Sequence, residues 1–259
     1  MANDTCAISI ERLTKVYGTK KKSFLALDAV DMTINKGEFV CIVGTSGCGK
    51  STLLNIIGGF EPYTSGKILI NGKNVNLPGA DRGVVFQTYT LFPWLTVEKN
   101  IQYGLKIKGM SKEQMSAISD DYLKKIHMEG FAKMLPKELS GGMKQRVAIA
   151  RTLANQPEVL LMDEPFGALD AQTKSKMQVL IREIWQNEKP TIIFITHDIE
   201  EAVYLSSKIY VMSANPGRIR KVIKTSLPEV RDLAIKDTGK FIELKNYVRD
   251  MLYSNEVIS

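Results

Sequence analysis

The stretch that most constrains this chain is Gly44-Thr45-Ser46-Gly47-Cys48-Gly49-Lys50-Ser51-Thr52, which satisfies the pattern G-x-x-x-x-G-K-[ST]. Glycines at these positions let backbone N–H groups converge on anionic oxygens without Cβ obstruction. A helix that follows such a loop aims the positive end of its dipole at the same point. Lys50 is then placed to reach β- and γ-phosphates, and the Ser51 hydroxyl to ligate Mg²⁺. The flanks agree with this reading. Phe39 to Val43 is a short continuous apolar run, as a strand buried on both faces requires, and Ser51 to Ile57 has helical composition. By chance the pattern occurs in about one chain in a hundred of this length.

The rest of the chain reads as an α/β protein. Ala7 to Leu13 and Ala29 to Ile34 alternate apolar and polar residues, and Gly66 to Asn71 and Gly83 to Gln87 are two more short strands. From about residue 91 to 153 the texture turns helical, with Val97 to Lys106 and Lys112 to Met128 carrying apolar residues at helical spacing. Strands return at Val159 to Met162, Thr191 to Thr196 and Lys208 to Met212, separated by helices over Gln172 to Trp185 and Ile199 to Leu205. Such alternation implies a largely parallel sheet. In the tail, Phe241, Leu244, Val248 and Leu252 share one helical face, which predicts packing on the sheet rather than on a bilayer.

Composition narrows the function classes. Of the 259 residues 44% are hydrophobic and 24% charged, which excludes a disordered or collagen-like chain. The apolar runs are far shorter than the ~20 residues a bilayer span needs, and Met1 to Lys15 has no apolar signal region, so a cytoplasmic chain is expected. The three cysteines, Cys6, Cys41 and Cys48, have no metal-site spacing and read as reduced thiols. A net charge of +7 permits contact with nucleic acid or an anionic membrane face and is equally met by a solvated basic surface.

A second chemical feature closes the strand Val159 to Met162: the acidic pair Asp163-Glu164. Ligands of open parallel sheets sit at the carboxyl ends of strands, so both carboxylates face the phosphates. Asp163 suits Mg²⁺, and Glu164 suits a general base on the attacking water. Taken alone, the pair reads equally well as N-cap acids of the next element.

Leu139-Ser140-Gly141-Gly142-Met143-Lys144-Gln145-Arg146 resembles the signature motif of the ATP-binding cassette (ABC) ATPases. Other motifs follow in that family's order. Gln87 stands where the family has its Q-loop glutamine, Phe166-Gly167-Ala168-Leu169-Asp170 is similar to the D-loop, and His197 to the switch histidine. Tyr17 is similar to the aromatic that stacks on adenine. The resemblance implies a P-loop NTPase (RecA-like) parallel-sheet core with an N-terminal antiparallel β region and an inserted α-helical subdomain at about 91–153. It places the ATPase domain at 8–220 and a C-terminal helical extension at 221–259. It also implies two ATPs, with Mg²⁺, sandwiched in a head-to-tail dimer. Each touches the phosphate loop of one subunit, Gly44 to Thr52, and Ser140, Gly141 and Gly142 of the other, with Asp170 beside them. The catalytic set implied is Glu164, His197, Gln87 and Lys50, and the metal set Ser51, Gln87 and Asp163.

Asp81 to Gln87, Leu91 to Val97, His197 to Ala202, Val211 to Ile219 and Met143 resemble the ATPases of bacterial nitrate, sulfonate and taurine importers. The implied protein is the energy-coupling subunit of an importer. It would be a homodimer, or a heterodimer with a similar ATPase, peripheral at the cytoplasmic face of the inner membrane. It would act with an integral membrane permease and, indirectly, an extracytoplasmic solute-binding protein, and no nucleic acid is expected. A non-transport ATPase of DNA, ribosome or cofactor assembly, and an exporter ATPase, are the alternatives. The cluster Phe92-Pro93-Trp94 is either the permease-docking surface or packed inside the helical segment.

Overall fold

A computed structural model describes residues 5–19 and 22–254. Its centre is a six-stranded sheet in the order β10-β9-β3-β8-β7-β6. The members are β3 (Phe39–Gly44), β6 (Arg82–Val85), β7 (Val159–Asp163), β8 (Thr191–Thr196), β9 (Lys208–Ser213) and β10 (Arg218–Lys224). All pairings are parallel except that of β10 with β9. Every residue of β3 and of β8 is buried, as expected of strands covered on both faces.

The period of two along these strands divides the core. Phe39, Cys41 and Val43 join one apolar cluster, whereas Val40 and Ile42 join another. The first cluster takes in helices α2 (Val97–Ile107), α3 (Lys112–Lys125), α4 (Gly141–Leu153), α5 (Ala171–Glu188) and α6 (Ile199–Leu205). The second is closed by helix α1 (Lys50–Gly58) and by an antiparallel sheet in the order β2-β1-β4-β5. That sheet comprises β1 (Cys6–Thr19), β2 (Lys22–Asn35), β4 (Ser65–Ile70) and β5 (Lys73–Asn74).

Strands β1 and β2 run well beyond the alternating stretches of the sequence. The pairing slips between Ile10 and Leu13, where Arg12 and, on the partner strand, Ala29 take positive φ (47° and 46°). Each bulge resets the inward face, so the alternation ends although the ladder continues. Strand β10, rich in basic residues, has no apolar alternation to announce it. Strand β6 stops at Val85, two residues earlier than its sequence pattern, and Gln87 follows outside it. Helix α3 ends at Lys125, short of the periodic stretch, and His127 sits in the exposed turn after it at φ 53°.

The helical segment is ordered by local chemistry. Thr96 caps α2, and Ser111 with Gln114 forms a capping box at the start of α3. The Tyr122 hydroxyl donates to Leu153 O (3.1 Å), tying α3 to the end of α4.

After β10 the chain turns at Leu233–Asp237 and ends in helix α7 (Gly239–Tyr253), which packs on α6, β9 and β10. Phe241 and Val248 are fully buried and Leu252 nearly so, so the amphipathic face is spent on protein. Among the described residues no helix is long and apolar enough to cross a membrane. Phe241→Ala should therefore cost about 3–5 kcal/mol of stability in urea unfolding, while Tyr247→Ala, on the exposed side, should stay within about 0.5 kcal/mol.

Candidate functional site

Parallel register brings three strand ends to one edge of the sheet. Val43 lies opposite Thr196, Gly44 opposite Met212, and Asp163 opposite Ile195. The loop after β3, the acids ending β7 and the histidine after β8 therefore emerge side by side.

The loop after β3 is a backbone cradle. Gly49 caps α1 at φ +94°, and an added Cβ there would sit 2.7 Å from Leu27 Cδ2. The first turn, Lys50-Ser51-Thr52-Leu53, carries no acid, so its amides and dipole favour an anion. Lys50 is buried with its ammonium folded into the loop, donating to Gly44 O (2.8 Å) and Thr45 O (3.1 Å). Ser46 and Gly47 form the exposed lip. Burial pushes the Cys48 thiol up, against the pull of Lys50, and keeps it protonated.

Ser51 Oγ donates to Asp163 Oδ1 (3.3 Å), which joins the loop to the end of β7. Burial raises the Asp163 carboxyl above its ordinary value, and the Ser51 hydroxyl opposes that. Among the described residues no group of three or more His, Cys, Asp or Glu side chains is placed to hold a metal. The Ser51–Asp163 pair supplies two hard oxygens, which suits Mg²⁺, an ion that keeps water and phosphate oxygens as its other ligands. The Tyr17 hydroxyl donates to Thr52 Oγ1 (3.4 Å), so the ring lies beside the first turn of α1, with Lys15 Nζ 4.5 Å from its centre.

Glu164 has φ +43°, an uncommon backbone for a side chain of this kind. Its N–H donates to Ile195 O (3.0 Å), and its Oε2 lies 3.0 Å from His197 Nδ1. Gln87 and Glu164 both border Gly167, where a Cβ would be 3.4 Å from Gln87 Nε2 and 3.8 Å from Glu164 Oε2. The expected set Lys50, Ser51, Asp163, Glu164, Gln87 and His197 is thus gathered at one edge.

The signature segment is a separate cradle. Ser140 caps α4, its Oγ accepting from Met143 N (3.3 Å). Among the described residues no hydrogen bond links Ser140, Gly141 or Gly142 to residues 44–52. Asp170 caps α5 by accepting from Thr173 N (2.9 Å), and the Thr173 side chain together with that N–H holds its carboxyl below the ordinary range. Gly142 packs on that same turn: a Cβ there would fall 2.4 Å from Thr173 Cγ2. Bulk at Gly142 therefore disturbs the chain's own α4–α5 contact, and exposed Ser140 is the position that probes an external partner. Sequence reasoning gave no role to Thr196, Lys174, Gln178 or Glu201, which are linked to one another and to Asp198, the residues on either side of His197 included. A buried carboxylate inside a charged helix start leaves no local signal.

An anion site of backbone amides with the Glu164 carboxylate and His197 paired on the neighbouring strand ends makes this chain a nucleotide-hydrolysing protein of the P-loop class. Comparison with known proteins narrows that class. Residues 27–167, more than half of the chain, match the family described as ABC transporter. A nitrate import ATP-binding protein of Synechocystis sp. is 46% identical over 255 residues, covering 96% of each chain. An aliphatic sulfonates import ATP-binding protein of Bacillus cereus is 45% identical over 242 residues, 93% of this chain and 94% of that one. Among solved structures, a dimeric ATP-binding cassette in a post-hydrolysis state with ADP and Pi is 35% identical, with a TM-score of 0.74 over 85% of this chain and 100% of that one. The chain belongs to the ABC transporter family, as an ATP-binding subunit that hydrolyses ATP to drive transport.

Gly49→Ala tests the cradle. The left-handed backbone costs an L-residue about 1–2 kcal/mol, and the contact with Leu27 adds to it. The expected result is at least tenfold weaker ATP binding by fluorescence titration, about 1.4 kcal/mol, with the fold retained by circular dichroism.

Proposed function

We propose that this chain is the energy-coupling subunit of an importer for a small anionic solute of the nitrate, sulfonate and taurine class. The observation that carries the hydrolytic part is the Glu164–His197 contact beside the Lys50 cradle. The solute class comes from the relatives named for nitrate and aliphatic sulfonate import, and from one named for bicarbonate transport that is 43% identical.

The division of labour follows from burial and partners. Lys50 and the amides of the first turn of α1 bind and orient the phosphates of ATP. Ser51 and Asp163 would hold Mg²⁺, with Gln87, in the segment after β6, as a further ligand. The chemistry such an ion would supply is neutralisation of the charge that builds on the phosphates. Asp163 is committed to Ser51, which leaves Glu164 as the base. Its carboxylate accepts the proton of the attacking water while His197 fixes its direction. Tyr17 offers a flat ring to the adenine.

Ser140 to Gly142 form a second helix-end cradle, apart from the first, and ATP bound on one subunit meets that cradle on another. The functional unit is a head-to-tail dimer in which Asp170 lines the seam. Glu164→Gln should bind ATP with near-native affinity and lose at least a hundredfold in turnover. Light scattering of this variant with ATP should show a monomer-to-dimer shift, abolished by adding Ser140→Arg. Turnover at the wild-type rate in Glu164→Gln would remove Glu164 as the base.

Transport needs a membrane partner, and the surface after Gln87 suits one. Trp94 is 72% exposed, and Phe92 is half-buried with its ring 4.2 Å from Tyr103 and 5.7 Å from Trp94. A groove of about 440 Å³ runs beside them, lined by Phe92, Tyr103, Ile107 and Arg151. Aromatic anchors beside a groove fit an intracellular helix of a permease. In this reading the chain sits peripherally at the cytoplasmic face of the membrane, with a solute-binding protein on the far side. Trp94→Ala should leave the melting temperature and basal ATP hydrolysis unchanged and weaken co-purification with the permease at least tenfold.

A further inference from the structure

His197 exposes 65% of its side chain, so packing does little to hold the ring. Its place beside Glu164 is set by the main chain on either side, and that main chain is tied twice. The Thr196 hydroxyl donates to Glu201 Oε2 (2.5 Å) and accepts from Asp198 N (3.0 Å). Asp198 Oδ1 accepts from Glu201 N (3.1 Å), and Asp198 Oδ2 pairs with Lys174 (2.7 Å). Residues 196 and 198 therefore bracket His197 within one ring of hydrogen bonds that closes through Glu201.

Glu201 is only 2% exposed. A carboxylate at that depth is costly unless its oxygens are matched. Burial raises its carboxyl, while Thr196, Lys174 and Gln178 counter that. Starting a seven-residue helix does not require it, because Asp198 already caps α6. What Glu201 adds is the hold on Thr196. Its other oxygen, Oε1, accepts from Gln178 Nε2 (3.2 Å), and Gln178 Oε1 accepts from Lys236 Nζ (2.9 Å). Lys236 belongs to the turn before α7 and also pairs with Glu200 (3.3 Å), as does Lys245 of α7 (3.4 Å).

We infer that Glu201 is a positioning residue for His197, and that Lys236 sets the Glu201 carboxylate through Gln178. The segment beyond β10 then takes part in hydrolysis without touching the nucleotide. This rests on the reading of Glu164 and His197 as the hydrolytic pair.

The test is steady-state ATP hydrolysis by the full chain with Mg²⁺, for His197→Ala, Lys236→Met, Lys236→Arg, Glu201→Gln and the doubles with His197→Ala. Lys236→Met should lower kcat about three- to tenfold and Glu201→Gln about tenfold or more, with KM for ATP within about twofold, because the cradle is outside the network. Lys236→Arg, which keeps the donor, should recover at least about half of the wild-type kcat. In the His197→Ala background neither substitution should lower kcat further, since a positioning residue has nothing left to position. A residue that merely supports the fold would lower both backgrounds by the same factor, and that outcome overturns the inference. So does wild-type kcat in both Lys236→Met and Glu201→Gln alongside a slow His197→Ala. Wild-type turnover in His197→Ala itself removes the hydrolytic pair and the inference with it, and is read from that single variant alone. If Glu201→Gln fails to fold, Lys236→Met and Lys236→Arg decide by the same criteria.

Discussion

Strand β8 is hydrogen-bonded to β3 on one side and to β7 on the other, with Val43 opposite Thr196 and Ile195 opposite Asp163. Every functional distance at the edge of the sheet descends from that register. Sliding β8 by one residue against either neighbour would turn its inward side chains to the other core and carry His197 about 3.3 Å along the strand, away from Glu164. The register is secured because both faces of β3 and β8 are buried. Phe39, Cys41 and Val43 belong to one apolar cluster, Val40 and Ile42 to the other, and neither set can exchange without exposing or overpacking its side.

The two clusters serve different parts of the site. The one beneath the antiparallel sheet contains Leu27, Cys48, Leu53 and Leu54, so it fixes the cradle and α1. The other contains Val203, Tyr204 and Leu205 of α6, Met177 and Leu180 of α5, and Val147 and Ile149 of α4, so it fixes the helices that carry His197, Asp170 and Ser140. The cradle and the segment that carries His197 thus rest on opposite faces of one sheet. A change in helix packing on the second face can move the histidine and leave the cradle where it is.

Most of this was legible in the chain itself, for reasons that differ by element. The fully buried strands announced themselves as apolar runs, and the cradle as a pattern whose glycines are each needed. The reach of β1 and β2 was not legible, because bulges at Arg12 and Ala29 break the alternation on which strand reading depends. Strand β10 was missed because Arg218 to Lys224 is an edge with charged side chains, and only pairing with β9 makes it a strand. The meeting of Glu164 with His197 was expected from family order alone. Nothing in the spacing of two residues 33 positions apart predicts an Oε2–Nδ1 contact. The buried network around Glu201 left still less trace, since Lys174 and Gln178 of α5, Glu201 of α6 and Lys236 of the turn before α7 lie far apart in the sequence and each reads alone as a solvated polar residue.

Charge is handled in two ways in this molecule, and the contrast explains why the edge is both stable and reactive. Arg182 and Arg231 are buried behind α6, where their guanidinium groups donate to main-chain carbonyls at its carboxyl end: Leu205 O for one, Val203, Tyr204 and Ser206 O for the other. Burial pushes Arg231 down to about 10, with Arg182 adding to it, so it still carries its charge at neutral pH. The negative end of a helix matches such cations and asks nothing of a carboxylate. At the opposite end of the same short helix, Asp198 accepts backbone N–H, and Lys174 completes the pair. Helix α6 is thus gripped by cations at one end and by an anion at the other, each in the sense its dipole favours. His197 stands just ahead of the gripped end and keeps its ring open to solvent, because the restraint that a mobile loop lacks is supplied from behind it.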